Sequence, residues 1–113
     1  MNARYVQRGD AIDYTPMEDV AAGDIVVLSG NLVGISKLDI KAGELGALAL
    51  TGVYEVAKAP GIAFEAGMEV GWNASTKQAV AAGASDSVKI GHSIALTGAN
   101  DPTVLIRLCQ GLA

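Results

Sequence analysis

His92 is the chain's sole histidine and Cys109 its sole cysteine, and twelve carboxylates are spread between Asp10 and Asp101. These are the side chains that could do chemistry. A hydrolytic triad or a metal centre needs several of them at once, with a base beside a nucleophile or three or four ligands on one ion. One cysteine allows no disulfide within the chain and no cysteine-based zinc site. Cys109 therefore reads as a small hydrophobe beside the last strand. His92 reads as a hydrogen-bonded histidine in the core or at a subunit interface, where it would make assembly sensitive to pH. Asp10, Asp13, Glu18, Asp19, Asp24, Asp39, Glu44, Glu55, Glu65, Glu69, Asp86 and Asp101 never form the Asp-x-Asp-x-Asp-Gly pattern of a calcium loop. They read as solvated turn residues. A catalytic pair of carboxylates can be assembled from distant parts of a chain, so a small carboxylate-based enzyme stays open as an alternative. No glycine is followed by lysine, which removes the phosphate-binding loop of nucleotide hydrolases. No catalytic, metal-ligating or cofactor-binding residue is assigned, and no cofactor is expected. Asn73-Ala74-Ser75 matches a glycosylation acceptor, a triplet common by chance.

Composition points to shape rather than chemistry. Half of the 113 residues are hydrophobic, with 14 glycines and few aromatic residues (one Trp, three Tyr, one Phe). Small aliphatic residues turned by many glycines suit a tightly wound β fold with short connections. The net charge of −4 argues against nucleic acid as a partner, because phosphate binding needs clustered Lys and Arg. No apolar run approaches the ~20 residues that span a bilayer, so no membrane partner is expected. The N-terminus lacks the apolar core of a secretory signal, and synthesis in a reducing cytoplasm, with assembly there into something larger, is the expectation.

The elements follow from alternation and turn residues. Residues 1–16 have mixed polarity and no helical period, and they read as an extended N-terminal arm or edge strand in which Arg4, Tyr5 and Arg8 can contact a neighbour. Residues 17–113 read as a single β-rich domain. Ile25–Leu28 and Leu32–Ser36 flank the turn Ser29-Gly30-Asn31 as a hairpin. The stretch Lys41–Asn73 is central. Its apolar run, Leu45–Val56, has one face of Leu45, Ala47, Ala49, Thr51, Val53 and Glu55, and another of Gly46, Leu48, Leu50, Gly52, Tyr54 and Val56. Both faces are mostly apolar, as in a strand buried on two sides. Residues 62–66 suggest one helical turn after Pro60-Gly61. Met68–Trp72 and Gln78–Val80 read as a strand and its return. Along Val88–Leu96, alternation puts Val88, Ile90, His92, Ile94 and Leu96 on one face. With Thr103–Leu108 this segment forms a longer-looped hairpin. Ala22-Gly23-Asp24, Ala42-Gly43-Glu44 and Ala66-Gly67-Met68-Glu69 each precede a strand, a repeat of turn chemistry rather than a solenoid. The expected fold is all-β, a small barrel or sandwich built of hairpins with an extended arm.

Several segments taken together resemble a known family. They are Tyr5-Val6-Gln7-Arg8-Gly9-Asp10, the hairpin around Ile25 and Ile35, Ala49–Lys58, Gly67–Asn73, Ile90-Gly91-His92-Ser93 and the closing Val104–Leu108. Their order is similar to that of phage capsid decoration (cement) proteins, small β-rich chains sometimes labelled phage recombinases. The resemblance implies a structural virion protein that binds the outside of a phage head, stabilises it, and forms a homotrimer on the major capsid protein. The arm is then the candidate grip on the capsid, by β-addition to a neighbouring sheet edge, with Arg4, Tyr5 and Arg8 expected to help bind it. A trimer contact would then draw on the central stretch and the histidine, through Leu48, Leu50, Tyr54 and His92. A recombinase role does not suit an acidic chain without a phosphate-binding lysine. The alternative outside this class is a virion-surface module or fibre base that meets host glycans through loops such as 83–86 or 98–101.

Overall fold

A computed structural model describes residues 2–109. It contains nine strands: β1 (Ala11–Tyr14), β2 (Ile25–Val27), β3 (Val33–Ile35), β4 (Gly46–Ala49), β5 (Val53–Ala57), β6 (Glu69–Asn73), β7 (Gln78–Ala81), β8 (Ser87–Ser93) and β9 (Thr103–Leu108). They form two antiparallel sheets, ordered β1-β4-β3-β2 and β5-β9-β8-β6-β7. The expectation of barrel or sandwich resolves as a sandwich. The second sheet curls until a single parallel bridge, Lys58 to Ala79, joins its two edges at one end, and it does not close.

The chain divides at Thr51-Gly52, so the first sheet takes the N-terminal half and the second sheet the rest. The apolar run Leu45–Val56 is therefore two strands in different sheets, not one buried strand. Gly52 has φ +121°, a conformation side chains disfavour, and the Tyr54 ring packs over it. The Tyr54 hydroxyl closes the bend by donating to the Thr51 carbonyl at 2.9 Å.

Val33 and Ile35 of the first sheet meet Val56, Val70, Trp72, Ile90, Val104, Ile106 and Leu108 of the second in one core. Phe64, 1% exposed, fills the middle. Burying a side chain of this size contributes about 1.5–3 kcal/mol. It also accounts for the absence of the helical turn expected at 62–66. The Phe64 backbone instead exchanges hydrogen bonds with Thr97 at 3.0 and 2.8 Å, which pins an extended segment over the core.

The turn repeat is structural. Asp24, Glu44, Met68 and Asp101 each donate their backbone N–H to the carbonyl three residues earlier, at 3.0–3.1 Å. In the first three turns the third residue is a glycine at φ +90°, +80° and +91°, as a type II turn requires. The turns interlock in pairs. Val20 bridges Ile40 and Phe64 bridges Thr97. The Asp39 carboxylate accepts from the Ala22 N–H at 2.8 Å, and the Asp19 carboxylate accepts from the Ala42 N–H at 2.9 Å. Ser36 and Ser93 occupy matching places in the two sheets. Each is wholly buried, each carbonyl accepts from the glycine of a turn (Gly23, Gly67), and each hydroxyl donates two residues ahead, to Leu38 and Ala95.

Candidate functional site

The N-terminal segment stands apart from the body. Residues 2–8 are exposed and take no regular structure. Tyr5 is 78% and Val6 79% exposed, whereas the other aromatic residues are half-buried or buried. Arg8 pairs with Asp10 at 3.3 Å, and the Gln7 amide donates to the Ala11 carbonyl at 3.2 Å. The segment carries +2 from Arg4 and Arg8 and no carboxylate, which leaves −6 on the rest of a chain whose net charge is −4. The arm ends sooner than residue 16, because β1 pairs with β4 along Ala11–Tyr14. Arg4, Tyr5 and Arg8 all lie in the part before β1.

The residues expected at a subunit contact are dispersed. Leu48 is fully buried within its own chain, where it fills the space left by Gly34; a Cβ there would lie 2.7 Å from Leu48 Cβ. Leu50 is half-buried, and its N–H donates to the Asp10 carbonyl at 2.8 Å. Tyr54 is half-buried on β5. His92 is exposed, and the expected shared face of Val88, Ile90, His92, Ile94 and Leu96 does not form. The cause is a bulge in β8: Val70 of β6 pairs with Gly91, and the next residue, Gly71, pairs with Lys89. The extra residue inverts the alternation, so Ile90 and Ser93 point inward while His92 points out.

His92 consequently sits in a row across the outer face of the second sheet. Val53 pairs with Arg107, Arg107 with His92, and His92 with Glu69. Glu69 also accepts from Lys89 at 3.0 Å. That hydrogen bond, the Lys89 charge and the nearby His92 hold the Glu69 carboxyl below its ordinary 4.5. Exposed Val53, Ile94 and Leu105 lie among these charges, on a face that no other part of the described chain covers.

Two open clefts flank the sandwich. One, of 370 Å³, lies between the edge strands β2 and β5 and is lined by Ile25, Tyr54, Glu55, Trp72 and Lys77 among others. The other, of 440 Å³, lies beside β1 and β4, over Ala11, Ala47 and Ala49. Among the described residues no three potential metal ligands gather. Asn73 of the glycosylation-like triplet is a turn residue, its amide oxygen accepting from the Ser75 and Thr76 N–H groups at 2.9 and 3.1 Å.

Lys58 is the polar residue that sequence reasoning missed. It is 4% exposed, and its ammonium donates to the carbonyls of Ala59, Ile62 and Ala99 at 3.0, 2.6 and 3.1 Å. All three donors are used, and no carboxylate is involved. The side chain ties two turns together. Nothing in its flanking sequence distinguishes it from a surface lysine.

A family model described as phage cement protein matches residues 6–108. No curated protein matches the chain.

Proposed function

The chain belongs to the phage cement protein family, and from that premise we propose that it is a capsid decoration protein that binds the outer surface of a phage head and stabilises it as a trimer. Family membership implies association with a phage capsid, and the match over residues 6–108 carries the reading. Such a protein needs a rigid domain, a self-associating surface and a segment that reaches the shell. The sandwich is the rigid domain. The exposed segment with Arg4, Tyr5 and Arg8 is the element that grips the major capsid protein, by adding to a neighbouring sheet edge. Three copies bound together multiply weak contacts through their high effective concentration. Of the residues expected at the trimer contact, Leu50, Tyr54 and His92 are accessible for that association and Leu48 is not.

The test is co-sedimentation with expanded phage heads. The full chain is expected to pellet with the heads and raise their melting temperature. A chain lacking residues 2–9 is expected to stay in the supernatant. Equal occupancy by the shortened chain would reject the arm as the grip, and no binding by the full chain would reject the decoration role.

A further inference from the structure

We propose that, away from the shell, the arm of one copy docks in the cleft beside β1 and β4 of a second copy. This assignment concerns the free protein, and its test contains no capsid. Its failure leaves the capsid reading standing, and loss of capsid binding leaves this inference standing.

The argument starts from the cleft. Its floor is a patch of paired strand with small side chains, Ala11, Ala47 and Ala49. Its walls are Leu38 and Leu45, 75% and 71% exposed. An apolar concavity walled by two exposed leucines is the kind of surface that proteins cover with a partner. Asp10, Asp39 and Glu44 also line it, against the single cation Lys37.

The arm carries the complementary chemistry. Arg4 and Arg8 bracket Tyr5 and Val6, and no carboxylate lies within residues 1–9. Tyr and Arg are the residue types that anchor interfaces, because a ring fills an apolar pocket at small entropic cost and a guanidinium pairs with carboxylates at the rim. Tyr5 suits the alanine floor, and Arg4 suits the acidic rim, where Asp10 already pairs with Arg8 of its own copy and Asp39 accepts from the Ala22 N–H. The larger charge balance agrees, with an arm of +2 facing a body of −6.

The geometry favours a second copy over the arm's own body. Asp10 and Ala11 form part of the cleft's own lining, so the arm leaves the protein at the rim of the site that would receive it. To fill its own cleft, Tyr5 would have to double back within the three residues that separate it from Gly9. Instead residues 2–8 stay exposed, Tyr5 among them, with Arg8 paired to Asp10 and the Gln7 amide to the Ala11 carbonyl. Copies whose arms emerge beside their clefts can pass them head to tail around a closed ring, as a trimer permits, in the manner of a swapped terminal strand. The gripping element is then held on a sister copy until a shell competes for it.

Disulfide trapping in the full chain tests this. In a Cys109→Ser background, one chain carries Tyr5→Cys and another, distinguishable by size, carries Ala47→Cys; both sites are exposed and leave the core intact. Mild oxidation of the mixture is expected to give the cross-linked heterodimer as the main product. Adding Arg4→Glu with Arg8→Glu to the arm chain, or raising the salt concentration, is expected to reduce that product severalfold. A yield no higher than with the distant Gln78→Cys in place of Ala47→Cys would overturn the proposal. So would a chain carrying both Tyr5→Cys and Ala47→Cys that closes only on itself in dilute solution.

Discussion

Gly91 decides which side chains the outer face of the second sheet presents. A Cβ at Gly91 would fall on the carbonyl oxygen of Arg107 in β9, so β8 and β9 approach closely only because this residue has none. Gly91→Ala must separate the two strands at the bulge, and a loss of about 1–3 kcal/mol in urea denaturation is expected. Lys58 makes a second residue-scale case. Lys58→Met keeps the volume and removes three donors from buried carbonyls, which is expected to cost about 2 kcal/mol or more by the same measurement. A surface lysine replaced in this way would change stability by less than about 0.5 kcal/mol, so the two readings separate cleanly. Glu69 supplies the pH dependence. Its carboxyl is lowered in the folded chain by Lys89, so its contribution is present above 4.5 and is lost as pH falls through the lowered folded value. Lys89→Met is expected to make the melting temperature fall less steeply in that acid range. An unchanged acid slope would mean the pair does not couple to folding.

At the scale of elements, the arm and β1 must be kept apart. Removing the first fourteen residues, an economical truncation on sequence grounds, also removes β1. That would strip the partner from Ala47–Ala49 of β4 and leave Leu48 uncovered. Deletion of residues 2–9 is expected to leave the melting temperature nearly unchanged, while deletion of residues 2–14 is expected to lower it by several degrees. Equal melting temperatures would show that β1 adds nothing to the fold. The turns are the other lesson at this scale. Asp19-Val20-Ala21-Ala22-Gly23-Asp24 and Asp39-Ile40-Lys41-Ala42-Gly43-Glu44 share their acidic, β-branched, alanine and glycine positions at a spacing of twenty residues. The glycine turn was legible in that echo. The role of the leading aspartates was not, because each carboxylate caps the opposite turn rather than its own. The signal was in the sequence, but its partner lay 23 residues away for Asp19 and 17 for Asp39.

At the scale of the whole molecule, the longest axis is 46 Å and the radius of gyration 14.7 Å, against about 13 Å for a compact chain of this length. The arm extends a body that is otherwise closely packed, and the exposed face around His92 and the alanine-floored cleft are its free surfaces. Sedimentation of the free protein is expected to give a trimer that dissociates at high salt, whereas a monomer at micromolar concentration would count against the assembly proposed for it. What the sequence determined by itself is what rests on neighbours in the chain: the all-β class from alternation and glycine turns, the hairpin positions, the exposed basic segment, and the family. Tertiary structure alone decided the rest. The division of Leu45–Val56 between two sheets, the outward turn of His92 and the burial of Lys58 each depend on a contact between distant segments. A bulge, a shared edge or a buried ammonium gains its energy from partners that local patterning does not encode.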